Sequence, residues 1–102
     1  MFKINGEIWT VSLVPPYHHK LKTTYGTFAL GVCDDIDKTI YIANNLNKYK
    51  IEHVLCHEIT HAAMFSYNVF LSLEQEELVA NLIATYGEEI IYITNVIIDK
   101  IK

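Results

Sequence analysis

Cations are scarce in this sequence and nowhere clustered: Lys and Arg together number 8 against 12 Asp and Glu, for a formal net charge of -4. Nucleic-acid binding needs a concentrated basic surface, so no DNA or RNA partner is expected. Long apolar runs are missing as well. Nothing approaches the roughly 20 apolar residues of a membrane span, and the opening Met1-Phe2-Lys3-Ile4-Asn5-Gly6-Glu7 holds no apolar segment of signal-peptide length. No membrane partner is expected, and the chain reads as cytoplasmic. Only 2 cysteines occur, Cys33 and Cys56, each in an apolar context, where cysteine behaves as a small buried hydrophobe. Both read as reduced core residues. The only 2 prolines are adjacent, Pro15 and Pro16, and they stop any regular ladder that precedes them. Repeats and low-complexity segments are absent.

What remains is enough for one core. With 102 residues, 51% hydrophobic and 20% charged, the chain is not a disordered one and suits a single domain over residues 1–102. Residues 4–14 carry apolar and β-branched positions interrupted by Gly6, which reads as a first strand or a hairpin. Residues 17–22 read as a polar loop, residues 24–33 as a second strand, residues 34–38 as a turn and residues 39–43 as a third strand. The last two strands form an antiparallel hairpin. Asn44 to Asn47 offer N-caps, and from Lys48 apolar residues recur at helical spacing as far as about Asn68. Ser72-Leu73-Glu74-Gln75 is a capping box opening a second helix, whose first turns carry Glu74, Glu76 and Glu77 in favourable positions for the helix dipole. Residues 88–102 hold β-favouring isoleucines on a helical stripe and read as a C-terminal helix, set off by a break or bend at Gly87. The expected class is α+β, a small antiparallel or mixed sheet followed by these helices.

The chemistry concentrates in His57-Glu58-Ile59-Thr60-His61. Two histidines four apart lie on nearly the same face of a helix, roughly 6 Å apart along its axis, so both rings can reach one ion. Glu58 is rotated about 100° from His57. It need not ligate, yet it can approach a water on the metal as a general base, which is the zinc peptidase arrangement. The flanks are Val54, Leu55 and Cys56 before and Ala62 and Ala63 after, so the helix is built for burial around this polar face.

A catalytic zinc takes three protein ligands and leaves a position for water. No histidine follows His61, which turns attention to the acids of the next helix. Glu77 is the leading third ligand, with Glu76 or Glu74 as alternatives if that helix is rotated. Asn81, one turn after Glu77, is placed to orient a ligand histidine through its other ring nitrogen. In this combination the sequence resembles the gluzincins, in which HExxH on one helix is completed by a glutamate on a second. It is similar in particular to ImmA/IrrE-type metallopeptidases and to phage- or prophage-encoded mini-gluzincins, where strands precede the motif helix and an E-x-x-A-N or E-x-x-A-D helix follows. The order matches over nearly the whole chain, although Asn81 stands where many members have Asp, the spacing between motifs is short, and no DNA-binding or sensor domain is present. The resemblance implies a minimal zincin-like domain, one Zn2+ per chain held by His57, His61 and Glu77, and Glu58 as the base of a metallopeptidase.

A peptide or protein substrate would then add to the sheet edge at Thr39 to Ala43 or its partner strand. Tyr25, Tyr86 and Tyr92 are the tyrosines weighed for stabilising an oxyanion. His18 and His19 read as loop residues. Two rival classes are a zinc-stabilised regulatory module of a mobile element that breaks no bond, and a metal-free interaction protein. An apolar C-terminal stripe larger than the core can cover predicts a homodimer.

Overall fold

Alternation in the N-terminal third and helical spacing beyond it are resolved, in a computed structural model describing residues 1–101, into four strands and two long helices. The strands are β1 (Phe2–Ile4), β2 (Glu7–Val14), β3 (Gly31–Asp34) and β4 (Thr39–Ala43), and the helices α1 (Lys48–Ser66) and α2 (Leu73–Ile101). The class is α+β. Among the described residues no helix is long and apolar enough to cross a membrane.

Residues 4–14 resolve into a hairpin. Asn5 and Gly6 both adopt left-handed φ, 50° and 78°, which is the backbone of the tight turn that Asn-Gly favours between twisted antiparallel strands. β2 then pairs in parallel with β4, and β4 pairs antiparallel with β3, so the order across the mixed sheet is β1-β2-β4-β3. This places β4 in the interior and β3 on an edge. Residues 24–29, expected as the start of the second strand, are loop instead, with one isolated bridge between Lys22 and Phe28. Gly26, at φ 83°, reverses the chain there, and the Thr23 N–H donates to the Thr27 carbonyl at 2.8 Å, closing a local turn in place of a ladder.

One sheet face buries Trp9, Ile40 and Ile42 against Val54 and Ala62 of α1. The other is closed by a single helical turn, His19–Leu21, which drives the fully buried Leu21 against Val14 and Ala43. α1 begins where Asn47 accepts the Lys50 N–H at 2.9 Å, a side-chain cap. It ends at Ser66, two residues short of the sequence reading, because Asn68 turns left-handed at φ 55° and the Val69 N–H returns to the Met64 carbonyl. The capping box forms in both directions: the Gln75 N–H donates to Ser72 Oγ and the Ser72 N–H to Gln75 Oε1, each at 3.1 Å.

α2 is one helix of 29 residues. The expected break at Gly87 does not occur, and no separate C-terminal helix exists; Lys102 lies outside the described residues. A lone glycine costs a helix about 1 kcal/mol relative to alanine, too little to interrupt a segment whose other residues all continue the spiral. The cysteines are both free and half-buried rather than fully enclosed.

Ser66 ties the hairpin to the end of α1. Trp9 Nε1 donates to its hydroxyl and Asn5 Nδ2 to its carbonyl, each at 2.9 Å. Ser66→Ala leaves the buried indole N–H without an acceptor and is expected to cost about 1–3 kcal/mol. Urea unfolding followed by fluorescence of Trp9, the chain's 1 tryptophan, measures it.

Candidate metal centre

His57 and His61 point from α1 toward the first turns of α2, where Glu76 and Glu77 point back. His61 is engaged at both nitrogens. Its Nδ1 lies 2.5 Å from Glu76 Oε1, and its Nε2 lies 2.8 Å from Glu77 Oε1. His57 Nε2 is 3.1 Å from His61 Nε2 and 3.2 Å from Glu77 Oε2. With the proton on Nδ1, donated to Glu76, Nε2 of His61 offers a lone pair on the side of Glu77 and His57. Three lone-pair donors, from His57, His61 and Glu77, therefore face one point, with all ligand atoms within 4.8 Å of one another. A single proton relieves one of these contacts, whereas a cation satisfies all three. The two histidine Nε2 atoms, 3.1 Å apart, are separated by close to the edge of a tetrahedron built from zinc bonds of 2.0–2.1 Å, about 3.3 Å, and each faces a different oxygen of Glu77. Two imidazoles and a carboxylate are a donor set that could hold a metal ion.

Glu76 was an alternative ligand in the sequence reading, and Asn81 the residue meant to orient a histidine. The structure differs. Asn81 is exposed, and Glu76 occupies the orienting place, bonded to the far nitrogen of His61. Neighbouring residues on a helix are rotated by about 100°, so Glu76 and Glu77 straddle the ring and reach its two nitrogens from either side. Glu74 is exposed at the helix start and outside the cluster.

The surrounding cleft encloses about 330 Å³ and is lined by β3 on one side and by Phe65, Leu73 and the site residues on the other. Tyr25, Tyr86 and Tyr92 do not line it and are 91, 53 and 67% exposed, so none of the three serves this site. His18 and His19 stack on each other in the turn that covers the opposite sheet face. Cys56 faces away, toward Ile83. Cys33 does line the cleft, and burial, reinforced by the Glu58 charge, pushes its thiol up to about 12, so it stays a thiol.

Glu58 is buried beside the cluster. Burial pushes its carboxyl up to about 7; the His61 ring opposes this, the Glu77 carboxylate adds to it, and a hydrogen bond from the Cys33 N–H opposes it. Sequence reasoning missed the residue that allows this placement. A Cβ on Gly31 would meet Val54 Cγ1 at 2.5 Å and Glu58 Cγ at 3.2 Å, so only glycine lets β3 lie this close to α1.

The ladder also orients β3. Its pair Leu30 and Ala43 is hydrogen-bonded, the Ala43 N–H donating to the Leu30 carbonyl at 2.9 Å. Since such pairs alternate along an antiparallel ladder, Gly31 and Cys33, opposite Ile42 and Ile40, turn their peptide groups to the free edge beside the cleft. β4 is flanked on both sides and has no free edge, which leaves its partner β3 as the only strand of the two open to an incoming chain.

No protein-family profile, curated protein or solved structure matches this chain.

Gly31→Ala is expected to lose about 1–3 kcal/mol through overpacking, read as a shift in the urea midpoint. The Glu58 carboxyl yields a pH effect of definite sign. With its folded pKa raised from 4.5 to about 7, the metal-free native state holds a proton that the unfolded chain has released, so stability falls as pH rises across that window. Glu58→Gln stays neutral. In chelator its melting temperature is expected to gain on that of the wild type from pH 4.5 to about 7 and then hold a constant lead.

Proposed function

We propose that this chain is a zinc-dependent metallopeptidase of minimal zincin type. The observation that carries the reading is the convergence of His57 Nε2, His61 Nε2 and the Glu77 carboxylate on one point, with the Glu58 carboxylate buried alongside. His57, His61 and Glu77 would hold the ion, and Glu76 would fix the tautomer and orientation of His61 and raise its basicity. When bound, zinc acidifies a coordinated water and polarises the peptide carbonyl.

The remaining work falls to the protein. Glu58 accepts the proton of the attacking water at its carboxylate oxygen, and the oxygen–carbon bond forms as the carbonyl becomes tetrahedral. The same proton then passes to the peptide nitrogen as the carbon–nitrogen bond breaks. The peptide groups of Gly31 would pair with an extended substrate at the edge of β3, laying its scissile bond across the cleft. Main-chain pairing of this kind selects for extended, unfolded segments rather than for particular side chains.

Purified protein is expected to contain one equivalent of zinc and to cleave unstructured peptides. Glu58→Gln should keep the metal and lose at least about 100-fold in kcat. His57→Ala should lose the metal. Glu76→Ala should bind zinc about 10–100-fold more weakly, and Asn81→Ala should bind it as wild type does. Elemental analysis, competition with a chromogenic chelator and a quenched-fluorescence peptide assay separate these outcomes. Zinc retained by His57→Ala, or full activity in Glu58→Gln, overturns the assignment.

A further inference from the structure

α2 outruns its partner. The first turn of α1, at Lys48 and Tyr49, lies beside Glu88, and the 29-residue helix continues past it for roughly 20 Å. Every residue from 89 to 101 is exposed except the half-buried Val96. This stretch is not a polar extension. Ile83, Tyr86, Ile90, Ile93 and Ile97 follow one another at alternating steps of three and four, with isoleucine recurring every seven residues. Such spacing keeps a single apolar seam facing a partner helix. The seam is rotated away from the side of α2 that carries Glu77 and the buried Ala80 to α1, so the helix has two working faces and only one is covered.

We propose that the second face is covered by a second copy of this chain, the two α2 helices packing antiparallel about a two-fold axis between Ile90 and Ile93. In that register Tyr86 faces Ile97 of the other copy, and the Ile101 end of each helix lies along the other's open apolar groove, lined by Leu55, Ile59, Ala63 and Ile83. A parallel pair leaves both grooves bare. The area suffices. Ile90, Ile93 and Ile97 are 52, 48 and 50% exposed; with Ile83, Tyr86 and the flanking Leu82, Ile98 and Ile101, the face offers on the order of 800 Å² per chain, one partner's share of a standard interface. A lipid surface is a poorer fit. Helices that lie on anionic membranes carry Lys and Arg along the polar face, whereas α2 carries Glu74, Glu76, Glu77, Glu88, Glu89 and Asp99 against Lys100 alone among its described residues.

Sedimentation equilibrium of the full chain at micromolar concentration is expected to give twice the monomer mass. Ile90→Glu should weaken association on the order of 100-fold with unchanged far-UV circular dichroism. Tyr92→Glu, on the other side of the same stretch, should leave it intact. Tyr86→Cys and Ile97→Cys should cross-link under mild oxidation when mixed, and neither alone. A monomer at about 100 μM, where interfaces of this size already associate, overturns the proposal. So does equal damage from Tyr92→Glu, or self-cross-linking of Tyr86→Cys.

Discussion

Everything around the cluster follows from the way consecutive glutamates face the two ring nitrogens of His61. Oε1 of Glu76 lies 2.5 Å from Nδ1 and Oε1 of Glu77 2.8 Å from Nε2, so the imidazole is flanked on both sides. The same two contacts set the register of α2 on α1, since a shift of one residue along the helix turns both acids about 100° away. Helix packing and site geometry are therefore one constraint seen from two sides. The capping box at Ser72 and Gln75 supports it by starting α2 at Leu73, which puts Glu76 at the end of the first turn and Glu77 at the start of the second.

On the far side of α1 the equivalent constraint is steric. Gly31 lets the sheet edge descend onto Val54 and Glu58, and the descent is what buries the Glu58 carboxyl and brings the Cys33 N–H to it. A glycine, a peptide N–H and an aliphatic side chain thus tune an acid that none of them resembles chemically. The cluster sits between an edge strand and a helix start, the two places in a fold where backbone polar groups are left over.

Legibility in the sequence followed the range of the interactions involved. The motif helix, its Asn47 cap and the Ser72 capping box are local patterns, and each lies where the residues indicated. The three converging residues were legible because helical spacing fixes His57 relative to His61 and an acid-rich first turn was the nearest source of a third group. Glu76 and Asn81 exchanged parts because spacing alone does not reveal how α2 is rotated on its axis. The second strand shrank to Gly31–Asp34 because Phe28 and Ala29 pair with Lys22 and Leu21 rather than with β4, a fact of topology. Gly87 misled in the other direction, its small penalty outweighed by the helix around it. Gly31 carried no signal, for a close approach between distant segments leaves no trace in either one.

The parallel pairing of β2 with β4 joins strands far apart in the chain, while the helices and the hairpin at Asn5 need only local contacts. Closing a loop of that length has to precede the pair that rewards it. The two helices can form early and bring the imidazoles and acids together, but the groove beside them waits for β4 to insert and carry β3 to the rim. A nascent or partly melted molecule thus has its imidazoles and acids assembled before it has a cleft, which takes shape only on reaching the native topology.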